Sequence, residues 1–263
     1  MQKVNNITYR GVEKLSSFNN KTFEMYCEKK INSCKKHIKF LKKKNIIKDE
    51  NQYNVCEIGS GNGRLLYSLE MEKIINQGIG IEVSKSRYLF SKKFSEYVNS
   101  KNIHIVNKNF INFKFKRNFF DIIFGIDIIF NIISANSKFE QKELLKKCKK
   151  ALKRGGYLIF EVMTFNEELK KLKNKNFSKI FKFDKTDPFD KCTVDYSLSK
   201  NNILLEKTFL KRNGQQSKFV NLVSPINKKF WKNLKGWEYK IFNYWSSPND
   251  TKEKEYIVLL KKI

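Results

Sequence analysis

The stretch Tyr53-Asn54-Val55-Cys56-Glu57-Ile58-Gly59-Ser60-Gly61-Asn62-Gly63-Arg64-Leu65-Leu66-Tyr67-Ser68-Leu69-Glu70 decides the fold. Its start reads as a short strand, its end as a helix, and three glycines at alternate positions join the two. Glycines at such a junction let the backbone turn tightly and let a ligand approach the main chain without a Cβ in the way. The spacing is informative. A dinucleotide fingerprint, G-x-G-x-x-G, would place its third glycine at position 64, and that residue is Arg64.

Working outward, residues 78–83 read as a second strand, after which Ser84 can cap a helix through about Val98. Residues 103–106 make a third strand. Residues 119–124 make a fourth, apolar apart from Asp121, as expected for a parallel strand covered on both faces. A helix over 138–152 closes on Lys153-Arg154-Gly155-Gly156 and leads into a fifth strand, 157–162. This alternation predicts an α/β fold: a doubly wound, Rossmann-like parallel sheet with a ligand crevice at the carboxyl ends of its strands.

On the amino-terminal side, residues 8–46 read as helix, with Phe23, Met25, Tyr26, Ile31, His37, Ile38 and Leu41 at three- and four-residue steps. Beyond Thr164 the alternation stops. Residues 190–223 look like antiparallel strands with turns at 199–202 and at Arg212-Asn213-Gly214. Ser224-Pro225 can start a helix through Leu234, and residues 237–245 and 255–260 are two closing strands. The expected organisation is a helical lid (1–46), a ligand-binding core (47–165), an inserted antiparallel substrate cap (166–223), and a helix with closing strands of the core sheet (224–263).

The chain has 263 residues and a formal charge of +28; 40% of residues are hydrophobic and 14% aromatic, enough to bury a sizeable core. No window reaches the roughly 18 apolar residues a spanning helix needs, and the first residues lack a signal-peptide pattern, so the expected location is the cytoplasm. Cys27, Cys34, Cys56, Cys148 and Cys192 show neither a paired framework nor zinc spacing, and with His37 and His104 the only histidines no metal site is expected. A pI near 9.8 invites a nucleic-acid reading. However, lysine is spread along the chain with abundant Asn, Ile and Phe, as an AT-rich coding sequence would produce. The milder consequence is attraction of an anionic small molecule.

The segment Glu57-Ile58-Gly59-Ser60-Gly61-Asn62-Gly63, with an acid two residues before the first glycine, resembles the class I S-adenosylmethionine-dependent methyltransferases. The resemblance covers about residues 53–163 in several ordered segments. It implies S-adenosyl-L-methionine as cofactor and S-adenosyl-L-homocysteine as product. In that family the acid closing the second strand binds the ribose hydroxyls, and Glu82, followed by Val83, is placed for this. The family usually has an Asp and an apolar residue at the adenine after the third strand. Here Asn109-Phe110 stands there, a departure that keeps an acceptor. Phe120-Asp121-Ile122-Ile123-Phe124-Gly125-Ile126-Asp127 is similar to the fourth-strand segment, with Ile126 by the adenine and Asp127 at the strand tip. The cofactor-binding set implied is Glu57, Gly59, Ser60, Gly61, Gly63, Glu82, Val83, Asn109, Phe110, Gly125 and Ile126. Leu152-Lys153-Arg154-Gly155-Gly156-Tyr157 resembles the turn into the fifth strand.

Methyl transfer from a sulfonium is an in-line displacement, in which the protein positions a nucleophile and excludes water. A hydroxyl acceptor needs a general base, and an amine must arrive deprotonated or be made so. Asp127 is the first candidate base, with cofactor contact or helix capping as its other reading. Asn131 stands where many relatives carry His. Further candidates are Tyr9, Tyr196, Asp184, Asp187, Asp190 and His104, the last also reading as a packed strand residue. Tyr9-Arg10 could meet the cofactor carboxylate. Base-methylating DNA enzymes carry a Pro-Pro motif after the fourth strand; here that position reads Gly125-Ile126-Asp127-Ile128, and Asp187-Pro188-Phe189 has one proline in the wrong place. The expected partner is therefore a small anionic acceptor, a hydroxyl of a nucleotide-linked sugar, recognised by the cap. The alternatives are N-methylation of a phosphorylated amine or amino acid, and an RNA-associated protein using its basic face.

Overall fold

The computed structural model describes residues 13–132, 140–183, 187, 189–199, 203–212, 215–232, 234–243 and 255–263. The first helix, α1 (Asn20–Lys43), opens on a capping box: Asn19 Oδ1 accepts from the Thr22 N–H at 2.8 Å and Thr22 Oγ1 from the Asn19 N–H at 3.0 Å. It buries Phe23, Tyr26, Cys27, Cys34, His37, Ile38 and Leu41, the three- and four-residue steps of one face. A single 3-10 turn, Leu15–Ser17, precedes it, so the expected continuous helix from residue 8 is shorter where described, and residues 8–12 lie outside the described set.

The doubly wound core follows in order. Strand β1 (Tyr53–Ile58) leads through the glycine loop to α2 (Arg64–Met71), then β2 (Ile75–Glu82), α3 (Lys85–Tyr97) capped by Ser84, and β3 (Ile103–Asn107). Next come β4 (Phe120–Ile126), α4 (Gln141–Ala151) and β5 (Leu152–Met163). After α5 (Asn166–Leu172) lie β6 (Phe177–Lys182), β7 (Lys191–Leu198), β8 (Leu204–Arg212) and β9 (Gln215–Val223), which form a four-stranded antiparallel sheet of their own. Strands β10 (Trp237–Asn243) and β11 (Glu255–Lys262) return to the core. The seven-stranded sheet has the order β10-β11-β5-β4-β1-β2-β3, parallel from β5 to β3 and antiparallel at β11 and β10. The fold class read from the sequence is the one observed.

Alternation along the buried strands splits the core in two. Val55, Ile122, Phe124, Ile159 and Ile257 pack beneath α1, α2 and α3. Cys56, Ile123, Leu158, Phe160 and Val258 pack beneath α4, Trp231 and the inner residues of the small sheet. All five cysteines are buried and free. No helix among the described residues is long and apolar enough to cross a membrane.

Two expectations are corrected. The helix expected over 224–234 is only a 3-10 turn, Lys228–Trp231. Trp231 is fully buried and donates its Nε1–H to Tyr256 Oη at 3.1 Å, while Tyr256 donates to the Ile226 carbonyl at 3.2 Å. These anchors fix the segment onto β11 at a spacing that does not follow one helix face. The helix expected to reach 152 gives way there to β5. Leu152 already pairs with Phe120, and the ladder resumes at Ile122 with Tyr157, so residues 153–156 form a bulge around Gly155 (φ +76°).

Candidate functional site

The strand order reverses between β1 and β4, and at the carboxyl ends of these strands lies a cavity of about 1260 Å³. One end is built by the glycine loop. The Gly59 and Ser60 N–H groups both donate to the Ile81 carbonyl, at 2.8 and 3.2 Å, which ties the loop to β2. Gly61 sits at φ +58°, and a Cβ built there would meet nothing within 4 Å because it would stand in the cavity. Its N–H donates to Glu82 Oε2 at 2.7 Å, and Glu82 Oε1 accepts from the Ser84 N–H at 2.6 Å. Glu82 is 3% exposed and borders the cavity; burial pushes its carboxyl up, with the Arg87 guanidinium and the two N–H groups opposing.

Glu57, at the end of β1, is 4% exposed, and its Oε2 has no partner among the described residues; the Ser60 hydroxyl is in the same position. Burial pushes the Glu57 carboxyl up to about 8, with Arg64 opposing and Glu82 adding. Val83, Asn109, Phe110 and Ile126 complete this end. Asn109 Oδ1 already accepts from the Ile111 N–H at 3.0 Å, capping a 3-10 turn. Gly63 and Gly125 do not border the cavity. A Cβ at Gly63 would meet the Tyr67 ring at 2.6 Å and one at Gly125 the Phe160 ring at 2.6 Å, so neighbours pack against both, and Gly63 also holds a left-handed φ of +80°.

Asp127 stands at the tip of β4 in the left-handed region, φ +52°, a strained conformation for a residue with a Cβ. Its N–H donates to the Glu161 carbonyl at 3.1 Å, and its Oδ1 is buried without a partner among the described residues. Burial pushes its carboxyl up to about 7, and the Glu161 and Glu255 carboxylates add to the shift. Asn131, one turn on, donates through Nδ2 to the Asp127 carbonyl at 3.5 Å and leaves its Oδ1 unpartnered.

The four-stranded sheet β6–β9 borders the other end through Tyr196, Thr208 and Asn221. Glu206 accepts from Asn221 Nδ2 at 2.8 Å, and Lys179 pairs with Glu168. Of the other candidate bases, His104 is exposed on the edge strand β3 and lies away from the cavity, so it is not the packed residue expected. Asp187 is paired with Lys29 at 2.7 Å outside the lining, and Asp190 is exposed and also outside it. Tyr9, Arg10 and Asp184 lie outside the described residues.

His37 was not among the candidates, although the structure brings it into the cavity wall. Its Nε2 lies 3.4 Å from Glu161 Oε2, both residues being buried. Burial lowers the imidazole's basicity and Glu161 opposes that. The sequence did carry one half of the signal, an acid among apolar neighbours at the end of a buried strand. The other half needs α1 to dock on β5, a contact across 124 residues.

Residues 49–202 match a family model described as a methyltransferase domain. Among solved structures, an S-adenosylmethionine-dependent methyltransferase from Clostridium acetobutylicum matches at a TM-score of 0.66 and 14% identity, covering 94% of this chain and 93% of that one. A Listeria monocytogenes protein assigned to the S-adenosylmethionine-dependent methyltransferases matches at 0.53 and 15% identity, covering 84% and 95%. The PH0226 protein of Pyrococcus horikoshii matches at 0.55 and 14% identity, covering 86% and 90%. At these identities the structural likeness shows the fold. The search of curated proteins finds no match.

Proposed function

We propose, because this chain belongs to the class I S-adenosylmethionine-dependent methyltransferases, that its cofactor lies along the glycine loop and that a small acceptor is methylated between the β4 tip and the cap. The residues present fit the cofactor. Gly61 opens a cradle that any Cβ would fill, and Glu82 offers carboxylate lone pairs beside it for a ribose diol. The unpartnered Glu57 oxygen suits the ammonium of the methionine part, and Arg64 and Lys30 border the same end for its carboxylate. In this reading Ser60, Gly59 and Val83 shape the walls, Asn109, Phe110 and Ile126 enclose the adenine, and Gly63 and Gly125 act through packing. Bound there, the sulfonium supplies an electrophilic methyl group. Residues 1–46 serve as lid, 47–165 as cofactor core, 166–223 as cap, and 224–263 close the core sheet.

The observation that carries this reading is the bond between the Gly61 N–H and Glu82 at an open glycine. Calorimetry tests it. The wild type should bind S-adenosylhomocysteine with micromolar affinity, about −8 kcal/mol. Glu82→Ala should lose about 1–3 kcal/mol of that, and Glu82→Gln, which keeps one acceptor oxygen, should lose less. Unchanged affinity in Glu82→Ala would remove the ribose assignment.

Two acceptor chemistries suit a pocket roofed by a cap. A hydroxyl on an anionic small molecule such as a nucleotide-linked sugar is supported by the net charge of +28 and by Lys30, Arg64, Arg87 and Lys108 on the lining. An amine is supported by the carboxylates at the cap end, Asp127, Glu168, Glu206 and Glu255. The two readings ask for opposite charge where the methyl is received.

A further inference from the structure

We infer that the acceptor is an amine that enters as a cation, its nitrogen against Asp127 at the β4 tip and its apolar body between Phe130, Phe165 and the cap. This rests on the reading of the cavity as the methyl-transfer site. The first argument is the sorting of charge. In a chain of net charge +28, the lining residues beyond the β4 tip include five carboxylates, Asp127, Glu167, Glu168, Glu206 and Glu255, and a single cation among the described residues, Lys179. That lysine is already paired with Glu168. The other lining cations, Lys30, Arg64, Arg87 and Lys108, share the lining with Glu13, Glu57 and Glu82; Arg87 is paired with Glu13, and Arg64, which also opposes the shift at Asp127, is the one of them that acts on the β4 tip, where Glu161 and Glu255 outweigh it. A phosphate-bearing acceptor placed at the cap would face this acidic surface in a low-dielectric cavity, whereas an ammonium would be attracted to it.

The second argument is hydrogen bonding. Asp127 Oδ1 and Asn131 Oδ1 are buried, border the cavity and have no partner among the described residues. The Asn131 oxygen only accepts, and the Asp127 oxygen only accepts once its carboxyl is ionised, a state that an adjacent ammonium favours; together they suit a donor-rich ligand, and an ammonium carries up to three N–H donors. The third argument is the wall. Phe130 and Phe165 meet edge to face at 5.2 Å, and Tyr196 stands on the cap side of the same space. Aromatic walls favour an organic cation with an apolar body. The balance of the reaction is consistent: an N–H proton of the ammonium passes to the Asp127 carboxylate, the freed lone pair forms the N–C bond as the C–S bond breaks, and sulfur keeps that bond's electron pair.

The test uses the full chain. S-adenosylhomocysteine is titrated first, then the saturated protein is titrated with phenethylamine, with 2-phenylethanol as its neutral isostere, and with UDP-glucose. Phenethylamine should bind at least about tenfold more tightly than 2-phenylethanol, and UDP-glucose no more tightly than the alcohol. Asp127→Asn should remove most of the amine preference and leave S-adenosylhomocysteine affinity unchanged. Binding of S-adenosylhomocysteine without an amine preference, or tighter binding of UDP-glucose, overturns the amine class and leaves the site reading standing. No binding of S-adenosylhomocysteine at all overturns the site reading itself.

Discussion

Replacing Asp127 with Asn should lower methyl-transfer turnover by about 10²–10⁴ and, at the same time, make the folded protein more stable at pH 8. The loss follows from the proposed role: a carboxyl pushed up to about 7 by burial and by Glu161 and Glu255 is matched to accepting a proton near neutrality, and an amide cannot accept one. Wild-type turnover should therefore rise with pH up to about 7 and then level off. The gain follows from linkage. Below the ordinary carboxyl value of 3.8 both states are protonated and the raised value costs nothing. Between there and about 7 the unfolded chain ionises while the folded one keeps its proton, so stability is lost as pH rises through that window. At about 1.36 kcal/mol per pKa unit, removing the carboxyl returns at most about 4 kcal/mol at pH 8 and nothing at pH 3. Asparagine tolerates the left-handed φ of +52° at this position, so backbone strain does not confuse the comparison. Urea unfolding at both pH values and single-turnover methyl transfer measure the two effects. Turnover within a factor of three of wild type would move the proton acceptor away from Asp127, and His37 beside Glu161 would be the next residue to replace.

Much of this site was legible in the sequence because its parts are local. Strand, turn and helix N-terminus occupy consecutive residues 53–71, so period-two alternation and three glycines sufficed to place Gly59, Ser60 and Gly61. Glu82 follows from the family resemblance, as the acid that closes the second strand. What could not be read depends on contacts distant in sequence. His37 looks like any core position on α1 until β5 brings Glu161 against it. Gly63 and Gly125 share a residue type with Gly61, yet only the placement of Tyr67 and Phe160 shows that they make room for packing. The Pro225-to-Leu234 segment has helical composition, and the burial of Trp231 against Tyr256 overrides it. The charge of the cavity wall was not legible for a related reason: the total of +28 sums the whole chain, whereas Asp127, Glu168, Glu206 and Glu255 come from the β4 tip, α5, β8 and β11 and line one cavity only on folding.

Gly61→Val should lower S-adenosylhomocysteine affinity by more than about a hundredfold while the protein still folds. The two halves of that statement rest on different facts about one position. A Cβ at residue 61 meets no atom of the protein within 4 Å, so the first side-chain atom of a valine enters open space and the main cost to folding is the backbone conformation. The conformational cost of a β-branched residue at φ +58° is about 1–2 kcal/mol, a fraction of a typical 5–15 kcal/mol of stability. That same open space is where the proposed cofactor must approach the main chain, and two methyl groups there exclude it. Gly63→Ala supplies the contrast. Its Cβ would meet the Tyr67 ring at 2.6 Å, on the protein side of the loop and away from the cavity. It should therefore cost stability, through overpacking of about 1–3 kcal/mol and the strain of a Cβ at φ +80° of about 1–2 kcal/mol, with cofactor affinity near wild type in the folded fraction. Thermal unfolding and calorimetry on the two variants separate the outcomes. If Gly61→Val folds and binds S-adenosylhomocysteine as tightly as the wild type, the loop is a packing turn and the cofactor lies elsewhere in the cavity. If Gly63→Ala loses binding while keeping its melting temperature, the third glycine touches the ligand and the division of the loop into an open and a packed half is wrong.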